Sequence, residues 1–444
     1  MEVEGWLLRA AAVRPGRIAV QTPAGSWTYS ELHSRARAGA EELAGRGAGP
    51  GVRVAIALPA GLAFAQALHA CLLLGAVAVP VDLRLSAEER GMIAADSELL
   101  VQSPLTASPA GGPPASLRGS RHDLDAPAVV IHTSGTTAAP RPVTLTYGNL
   151  LWSALGSAVA LGLDPEDRWL CALPVSHVGG LSILVRSAIY ATTAVVHERF
   201  VLEDVLRSLR EDRVTLISLV AVTLGRLLDG GLRRPAGLRC ALTGGGPVPA
   251  SLLDRAWQAG VPVSLTYGLT EGSSQVTTTP VAELGSGRSS AGPPLFCTRV
   301  AIAPDGEILV RGPTVAPGAA AHDGWLHTGD LGGFDERGAL QLSGRRSDTI
   351  ISGGENVAPA EVEAALEAHP GVQEAAVVGR PDASWGEAVT AIVVARPGCS
   401  LKADELRAHC EGRLAPYKIP RRFVIAAEPL PRTPSGKLLR RELG

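Results

Sequence analysis

The segment Val129–Val143 has the sequence VVIHTSGTTAAPRPV and places an apolar strand directly before a run of small hydroxyl residues around one glycine. Backbone N–H groups and side-chain O–H groups in such a run can converge on phosphate oxygens. The run lacks the GxxxxGK[ST] spacing, so the common nucleoside-triphosphatase loop is excluded. By itself the run is also compatible with an ordinary turn, and the phosphate loop therefore needs support from the rest of the chain.

On both sides of this segment, short apolar strands alternate with apolar or amphipathic helices. This alternation predicts an α/β fold with a largely parallel sheet. The predicted strands are Val52–Leu58, Val77–Val81, Val129–His132, Trp169–Leu173, Thr215–Leu219 and Val261–Leu265, and the predicted helices are Leu62–Leu74, Leu150–Leu161 and Leu202–Glu211.

The pattern changes near Gly344. Before it, a series of strands and turns predicts a small antiparallel β subdomain, and after it a mixed pattern predicts a separate α+β domain. We place the boundary at Ser347/Asp348, which gives an N-terminal domain of residues 1–347 and a C-terminal domain of residues 348–444. The predicted strands are Val300–Ala303, Glu307–Arg311, Ala339–Ser343, Val372–Gly379 and Ala388–Ala395, and the predicted helices are Ala360–Ala368, capped by Pro359, and Ala403–Arg413.

The composition argues against nucleic-acid and membrane partners. The formal net charge is −2, so no global attraction to nucleic acid or to an anionic membrane is expected. The uncharged stretch Val54–Val81 is interrupted by prolines and glycines and predicts a strand, a buried helix and a strand rather than a membrane span. The N-terminus lacks a signal-peptide pattern, and the six cysteines form no CxxC pair. These features predict a cytoplasmic protein with reduced thiols.

Several further motifs follow the hydroxyl-rich segment in a fixed order. They are LPVSHVGG at Leu173–Gly180, LTGGGP at Leu242–Pro247, YGLTE at Tyr267–Glu271, HTGD at His327–Asp330, GRRSDTIISGGE at Gly344–Glu355 and PRTPSGK at Pro431–Lys437. Together with the Thr133–Arg141 loop, this ordered set resembles the superfamily of acyl-CoA synthetases, luciferases and peptide-synthetase adenylation domains. The resemblance implies an ATP-dependent ligase that forms an acyl-adenylate.

The phosphate loop departs from the pattern of this superfamily. Ala138 stands where a glycine is usual, and Arg141 and Pro142 stand where a lysine and a glycine are usual. Arginine keeps the positive charge without the compact ammonium group, and proline stiffens the exit of the loop. We expect these departures to affect the mobility of the loop and its affinity for ATP more than its contact with phosphate.

The resemblance implies that one group of residues binds ATP and AMP. It consists of Thr133, Ser134, Gly135, Thr136, Thr137 and Arg141 at the phosphates, Gly244, Gly245, Gly246, Tyr267 and Gly268 at the adenine, and Asp330 and Arg345 at the ribose. An aromatic face suits a flat base, and a carboxylate suits the ribose hydroxyls. Thr270 is implied to contact phosphate and Glu271 to bind Mg²⁺, which prefers carboxylate oxygens.

The C-terminal motifs imply a mobile domain that carries a catalytic lysine. Asp348 matches the hinge position, and Gly353 and Gly354 match the approach of the thiol. Lys437 matches the lysine that bridges the substrate carboxylate and the α-phosphate as charge builds in the transition state. The chain uses arginine almost everywhere else, and its three lysines, Lys402, Lys418 and Lys437, all lie in the last 43 residues.

The acyl substrate is suggested by two segments. Asp167–Phe200 and Thr266–Thr278 resemble the o-succinylbenzoate–CoA ligase family of menaquinone biosynthesis, which implies coenzyme A as the thiol. His177 is expected beside the acyl group, although a core or gating histidine is an equal alternative. The second carboxylate of this substrate needs a partner, either Arg186 or the pair Ser274 and Gln275. Arg186 could equally form a structural ion pair.

Two other functions remain open from the sequence. The first is a ligase for another aryl or medium-chain acid. The second is a non-catalytic binding protein on the same fold, for which the altered phosphate loop is the only support. The expected partners are the carboxylic acid, ATP and coenzyme A, and a homodimer is a further possibility.

Overall fold

The computed structural model describes residues 1–106, 121–133, 141–284, 290–352, 355–382, 385–411, 413–433 and 438–443. Within these residues the strands form two large, mostly parallel sheets, a four-stranded antiparallel sheet, a five-stranded C-terminal sheet and a two-stranded ribbon. The ribbon pairs β1 (Glu2–Glu4) with β7 (Arg121–Asp123). Among the described residues no helix has the length and apolar character needed to cross a bilayer.

The first large sheet has eight strands in the order β15-β14-β13-β12-β10-β11-β2-β3. Its inner pairs are parallel, and only the pairs at the two edges are antiparallel. The inner strands are mostly apolar and buried because both faces of a parallel sheet are covered. The strands are β2 (Ile18–Thr22), β3 (Gly25–Thr28), β10 (Arg168–Cys171), β11 (Thr193–Val196), β12 (Leu216–Leu219), β13 (Cys240–Thr243), β14 (Val263–Leu269) and β15 (Ser274–Thr278).

The second large sheet has five strands in the order β6-β4-β5-β8-β9. All pairs are parallel except β8 with β9, which flank the predicted phosphate loop. The carboxyl ends of β5 and β8 therefore point to the same edge of the sheet. The strands are β4 (Arg53–Ile56), β5 (Val77–Pro80), β6 (Leu99–Val101), β8 (Pro127–Thr133) and β9 (Arg141–Thr146).

Eleven α-helices lie within the described residues, most of them packed against these sheets. Capping boxes at Thr28, Ser86 and Thr146 satisfy backbone donors and set where three of them begin. The helices are α1 (Trp6–Val13), α2 (Tyr29–Gly45), α3 (Leu62–Leu74), α4 (Ala87–Ala95), α5 (Tyr147–Leu161), α6 (Val178–Tyr190), α7 (Leu202–Glu211), α8 (Ala221–Asp229), α9 (Ala250–Gln258), α10 (Pro359–Glu367) and α11 (Ala403–Cys410).

The last 150 or so residues form two further sheets. The first is antiparallel throughout, and the second joins α10 and α11 around its own apolar core. In the second sheet only β23 and β24 pair in parallel. The strands are β16 (Arg299–Ile302), β17 (Glu307–Arg311), β18 (Leu326–Phe334) and β19 (Leu340–Arg345), followed by β20 (Ile350–Ser352), β21 (Glu355–Val357), β22 (Val372–Asp382), β23 (Gly386–Ala395) and β24 (Arg422–Ala426).

The predicted elements are present, and their ends shift by a few residues. One strand was not predicted, and one helix start was wrong. The HTGD motif lies inside the nine-residue strand β18. Three glycines give this segment a low strand propensity, and pairing with β17 and β19 on both sides overrides it. Pro359 is the first helical residue of α10, and Ala358 is its N-cap.

Two buried histidines, His69 and His122, are expected to make the N-terminal region sensitive to acid. Each side chain is 3% exposed, and burial lowers the pKa of each to about 4. His122 Nε2 accepts the Trp6 backbone N–H at 3.2 Å, and its ring stacks on Tyr147 at 4.3 Å between centroids. Both arrangements require or favour the neutral ring, so protonation of His122 breaks a contact that holds α1.

We therefore expect the free energy of unfolding to fall as the pH falls from 6.5 to about 4. Above pH 6.5 the two histidines are neutral in both the folded and the unfolded chain. Between pH 6.5 and about 4 they bind protons in the unfolded chain but not in the folded one. The loss is on the order of 3 kcal/mol per histidine at the acid end. Urea unfolding across this range measures it. His69→Leu should flatten the dependence, while His322→Leu, at an exposed histidine, should not. An unchanged slope in His69→Leu would contradict the assignment.

Candidate active site

A hydrogen-bonded group joins the buried Tyr267 and Asp330 to the exposed Arg345. The Tyr267 hydroxyl donates to Asp330 Oδ2 at 2.8 Å, and Arg345 Nε lies 2.9 Å from Asp330 Oδ1. The tertiary fold brings Tyr267 to β18 from a distant part of the chain. Asp330 and Arg345 are instead register partners on the neighbouring strands β18 and β19. Burial, and then the charge of Asp330, raise the pKa of Tyr267, so its hydroxyl stays a donor near neutral pH. The structure thus brings together the predicted adenine residue and both predicted ribose residues.

The glycine turn after β13 packs on the backbone just before Tyr267. A Cβ on Gly244 would lie 2.7 Å from Thr266 Cγ2 and 2.8 Å from the Thr266 carbonyl oxygen. Gly245 has φ of +80°, a conformation that favours glycine. A Cβ on Gly246 would meet no atom within 4 Å, so this part of the turn is open. The turn therefore lies beside the tyrosine, as the predicted adenine site requires.

Thr270 and Glu271 begin a tight turn between β14 and β15. The turn is a 3₁₀ helix, Thr270–Gly272, followed by Ser273 and Ser274 with φ of +57° and +97°. Non-glycine residues rarely adopt these angles, which cost roughly 1–3 kcal/mol each and cluster at ligand sites. Before the turn, Gly268 admits no side chain, since a Cβ there would lie 1.9 Å from the Ser274 carbonyl oxygen.

The surrounding chain holds this turn in place and leaves the Glu271 carboxylate available. Ser153 Oγ on α5 donates to the Ser273 carbonyl at 2.6 Å, and the Ala316 N–H donates to the Glu271 carbonyl at 2.8 Å. Among the described residues no side chain pairs with the Glu271 carboxylate, and no group of three or more metal-binding side chains is present. A single carboxylate suits Mg²⁺ that is otherwise held by phosphate oxygens and water.

Only the two ends of the phosphate loop are described. Thr133 at the end of β8 and Arg141 at the start of β9 are register partners, and Thr133 Oγ1 donates to the Arg141 carbonyl at 3.3 Å. Thr133 and Arg141 therefore lie side by side at the two ends of the segment. Ser134, Gly135, Thr136 and Thr137 follow Thr133 in the sequence. These four residues, and Ala138 with them, lie outside the described residues.

His177 lies at the N-terminus of α6 and contacts two residues that follow β5. Its Nε2 is 3.0 Å from Arg84 Nη2 and 3.5 Å from Asp82 Oδ2. Burial lowers the pKa of His177, and Arg84 acts in the same direction, while Asp82 raises it. His177 therefore bridges the carboxyl ends of strands from both large sheets. Asp82 and Arg84 were missed by the sequence reasoning because neither belongs to a motif that carries a role.

The loop before α6 depends on Gly180. A Cβ there would lie 2.3 Å from the Pro174 carbonyl oxygen, whereas a Cβ on Gly179 would meet its nearest atom, Leu173 Cδ1, at 3.6 Å. We expect Gly180→Ala to displace the loop that carries His177 and to lower stability by about 1–3 kcal/mol. Gly179→Ala is the matched control and should be neutral or mildly stabilising. Thermal unfolding and the KM for the acid measure both. Equal behaviour of the two variants would contradict the prediction.

Of the candidates for the second substrate carboxylate, Arg186 and Gln275 are buried, whereas Ser274 is only half-buried. Arg186 on α6 is 2% exposed, and its Nη2 donates to Ser153 Oγ at 3.0 Å, the same hydroxyl that binds Ser273. Within the described ranges Arg186 has no carboxylate partner, and its Nε is buried without a hydrogen bond. Gln275 donates from Nε2 to Thr278 Oγ1 at 2.8 Å, and its buried Oε1 likewise lacks a partner.

The predicted hinge residue, Asp348, lies in a 3₁₀ turn, Arg346–Asp348, and pairs with Arg440. Arg440 Nε donates to Asp348 Oδ2 at 3.1 Å, while its Nη2 donates to Glu363 Oε2 at 2.9 Å and its Nη1 to the Val377 carbonyl at 3.0 Å. Sequence reasoning missed Arg440, since nothing in the tail distinguishes it from Arg441. Gly353, Gly354 and Lys437 lie outside the described residues.

Comparison with known proteins then decides the family. The model of the AMP-binding enzyme family matches residues 7–103 and 102–319, and the model of the AMP-binding enzyme C-terminal domain matches residues 361–437. The chain belongs to the AMP-binding enzyme family. Membership confirms the superfamily resemblance drawn from the ordered motifs, and the architecture confirms the α/β fold class.

Within the AMP-binding enzymes, the chain is similar to ligases of one kind over its whole length. It is 40% identical to the 2-succinylbenzoate–CoA ligase of Bacillus subtilis strain 168, covering 100% of this chain and 98% of that protein. The solved structure of o-succinylbenzoate CoA synthetase from Bacillus subtilis with the acyl-adenylate intermediate OSB-AMP matches with a TM-score of 0.88 at 38% identity, covering 100% and 98% of the chains. The same enzyme with ATP and magnesium ion matches with a TM-score of 0.88 at 38% identity and covers 100% of each chain.

Proposed function

We propose that the chain is an ATP-dependent, AMP-forming ligase that joins 2-succinylbenzoate to coenzyme A. The observation that carries this proposal is the full-length likeness to 2-succinylbenzoate–CoA ligase at 40% identity. The described site agrees with it, since the Tyr267–Asp330–Arg345 group, the glycine turn and the available Glu271 carboxylate lie where a nucleotide is expected. The product belongs to menaquinone biosynthesis, as the sequence resemblance implies.

The reaction has two steps. A carboxylate oxygen of the acid attacks the α-phosphorus of ATP, the bond to the β-phosphate oxygen breaks, and pyrophosphate leaves. The coenzyme A thiol then loses its proton and attacks the acyl carbon, and AMP leaves with the electrons of the broken acyl–oxygen bond. Both steps depend mainly on positioning and on stabilising developing negative charge.

The chain's own residues take distinct parts in this scheme. Asp330, held by Tyr267 and Arg345, accepts the ribose hydroxyls and fixes the nucleotide. Glu271 would hold Mg²⁺, which would supply positive charge to offset the negative charge of the phosphates. Lys437 binds the reacting carboxylate and the α-phosphate.

Two features of organisation belong to the same proposal. The boundary between the domains lies at Ser347/Asp348, which is supported by the separate core and sheet formed after residue 350. Rotation about Asp348 exchanges the adenylation and thioester-forming arrangements. The enzyme acts in the cytoplasm, where ATP and coenzyme A are available, and a homodimer stays a prediction.

The substrate is tested by acid-dependent ATP–pyrophosphate exchange with 2-succinylbenzoate, benzoate and octanoate, followed by detection of the coenzyme A thioester. We expect exchange and thioester with 2-succinylbenzoate well above the other two acids. Preference for benzoate or octanoate would identify a different acid–CoA ligase. No exchange with any acid would favour a binding protein.

We further propose that Arg186 binds the second carboxylate of the acid. Its support is a buried guanidinium that has no acidic partner within the described ranges and keeps one N–H donor unused. Arg186→Met, which keeps the bulk of the side chain, should raise the KM for 2-succinylbenzoate by about tenfold and leave the KM for ATP unchanged. Benzoate, which lacks the second carboxylate, should be insensitive to the change. An unaltered KM for 2-succinylbenzoate would exclude Arg186.

A further inference from the structure

Asp82 and Arg84 form a preassembled pair at the carboxyl end of β5. Arg84 Nε donates to Asp82 Oδ1 at 2.8 Å, and the Arg84 backbone N–H donates to the same oxygen at 3.0 Å. Arg84 Nη2 also bonds Asp82 Oδ2, so the guanidinium is held by both carboxylate oxygens. The Asp82 side chain is only 12% exposed. Bidentate pairing of this kind fixes the plane and direction of the guanidinium.

The fixed guanidinium is directed at one nitrogen of His177. Arg84 Nη2 lies 3.0 Å from His177 Nε2, which is within hydrogen-bond distance, while Asp82 Oδ2 lies at 3.5 Å, which is beyond it. A guanidinium has donors and no acceptor. Nε2 must therefore supply a lone pair to Arg84, and the proton of the neutral ring must be on Nδ1.

The opposite nitrogen is open to a ligand. No residue in the described parts of the chain accepts a hydrogen bond from His177 Nδ1, and the side chain is 40% exposed. His177 is also the residue before α6, and the N-terminus of a helix carries a partial positive charge. A neutral ring with a hydrogen on Nδ1 offers a donor here, which suits an anionic or carbonyl oxygen.

We propose that Asp82 and Arg84 are positioning residues that hold His177 as the neutral Nδ1–H tautomer, so that it donates a hydrogen bond to an oxygen of the acyl substrate. The proposal rests on the proposed function, since it assigns His177 to the acid. Without the pair, the ring is free to take the other tautomer and would present a lone pair to a carboxylate, which is repulsive. Asp82 acts through Arg84, and Arg84 acts through His177.

The tautomer is read directly by ¹⁵N NMR of the full-length enzyme labelled at histidine, with the His177 signals assigned by their loss in His177→Gln. We expect the wild-type spectrum at neutral pH to show a protonated Nδ1 and an unprotonated Nε2. Arg84→Met should shift the ring toward Nε2–H, which then faces Asp82. Arg210→Met, an exposed change on helix α7, is the matched control and should leave the His177 signals as in wild type.

The kinetic arm uses the same variants. Arg84→Met and Asp82→Asn should each raise the KM for 2-succinylbenzoate by about tenfold, with the KM for ATP unchanged. An Nε2–H ring in the wild type would overturn the proposal, as would an unchanged tautomer in Arg84→Met. If no acid is turned over by the wild type, the proposed function fails, while the NMR spectra still decide the tautomer.

Discussion

Replacing Lys437 with alanine is expected to slow acyl-adenylate formation by about 100- to 1,000-fold, because one cation that stabilises the developing charge is lost. The expectation comes from the sequence, since Lys437 lies outside the described residues. It is measured as the rate of 2-succinylbenzoate-dependent ATP–pyrophosphate exchange. Thioester formation from preformed acyl-adenylate should be affected much less, because that step needs no charge stabilisation at the α-phosphorus.

The control for this experiment is Lys402→Ala. Lys402 is one of the three lysines of the chain, and it lies on the surface as the N-cap of α11. Its replacement should leave exchange unchanged. Equal losses in the two variants would point to a general loss of positive charge, and full exchange in Lys437→Ala would remove this lysine from the mechanism.

Replacing Arg440 with methionine is expected to destabilise the C-terminal α+β region by about 3–5 kcal/mol, because it leaves a buried carboxylate without its cation. Glu363 is 8% exposed, pairs with two guanidinium nitrogens of Arg440, and also accepts the Val377 backbone N–H at 2.7 Å. The same change frees Asp348. Urea unfolding followed by hydrogen exchange of β22 and β23 measures the loss.

Two variants make the second prediction specific. Arg441→Met changes the exposed neighbour and should have little effect. The double variant Arg440→Met/Glu363→Gln should recover part of the stability, since it removes the unpaired buried charge and keeps an acceptor for the Val377 N–H. If Arg440→Met and Arg441→Met unfold alike, Arg440 is not the anchor of this region.

Sequence reasoning reached the fold class, and it predicted a nucleotide site, for separate reasons. Parallel strands buried on both faces are mostly apolar runs, and α3 is buried on nearly every side. These strands and this helix could therefore be predicted from their runs of apolar residues. The predicted nucleotide residues Tyr267, Glu271 and Asp330 stood in ordered motifs. The strand that carries Asp330 was not predicted. Its three glycines lower its strand propensity, and it forms because it pairs with a neighbouring strand on each side.

What the sequence determined by itself was the order of the motifs and the alternation of strands and helices, and it predicted which residues carry the chemistry. The tertiary structure alone decided which of these side chains meet. Tyr267 reaches Asp330 across 63 residues, Arg84 reaches His177 across 93, and Arg440 reaches Asp348 across 92. Periodicity along a chain shows which face of an element is buried, but not which distant element covers it. These contacts therefore follow from packing, which fixes the direction of each donor and acceptor.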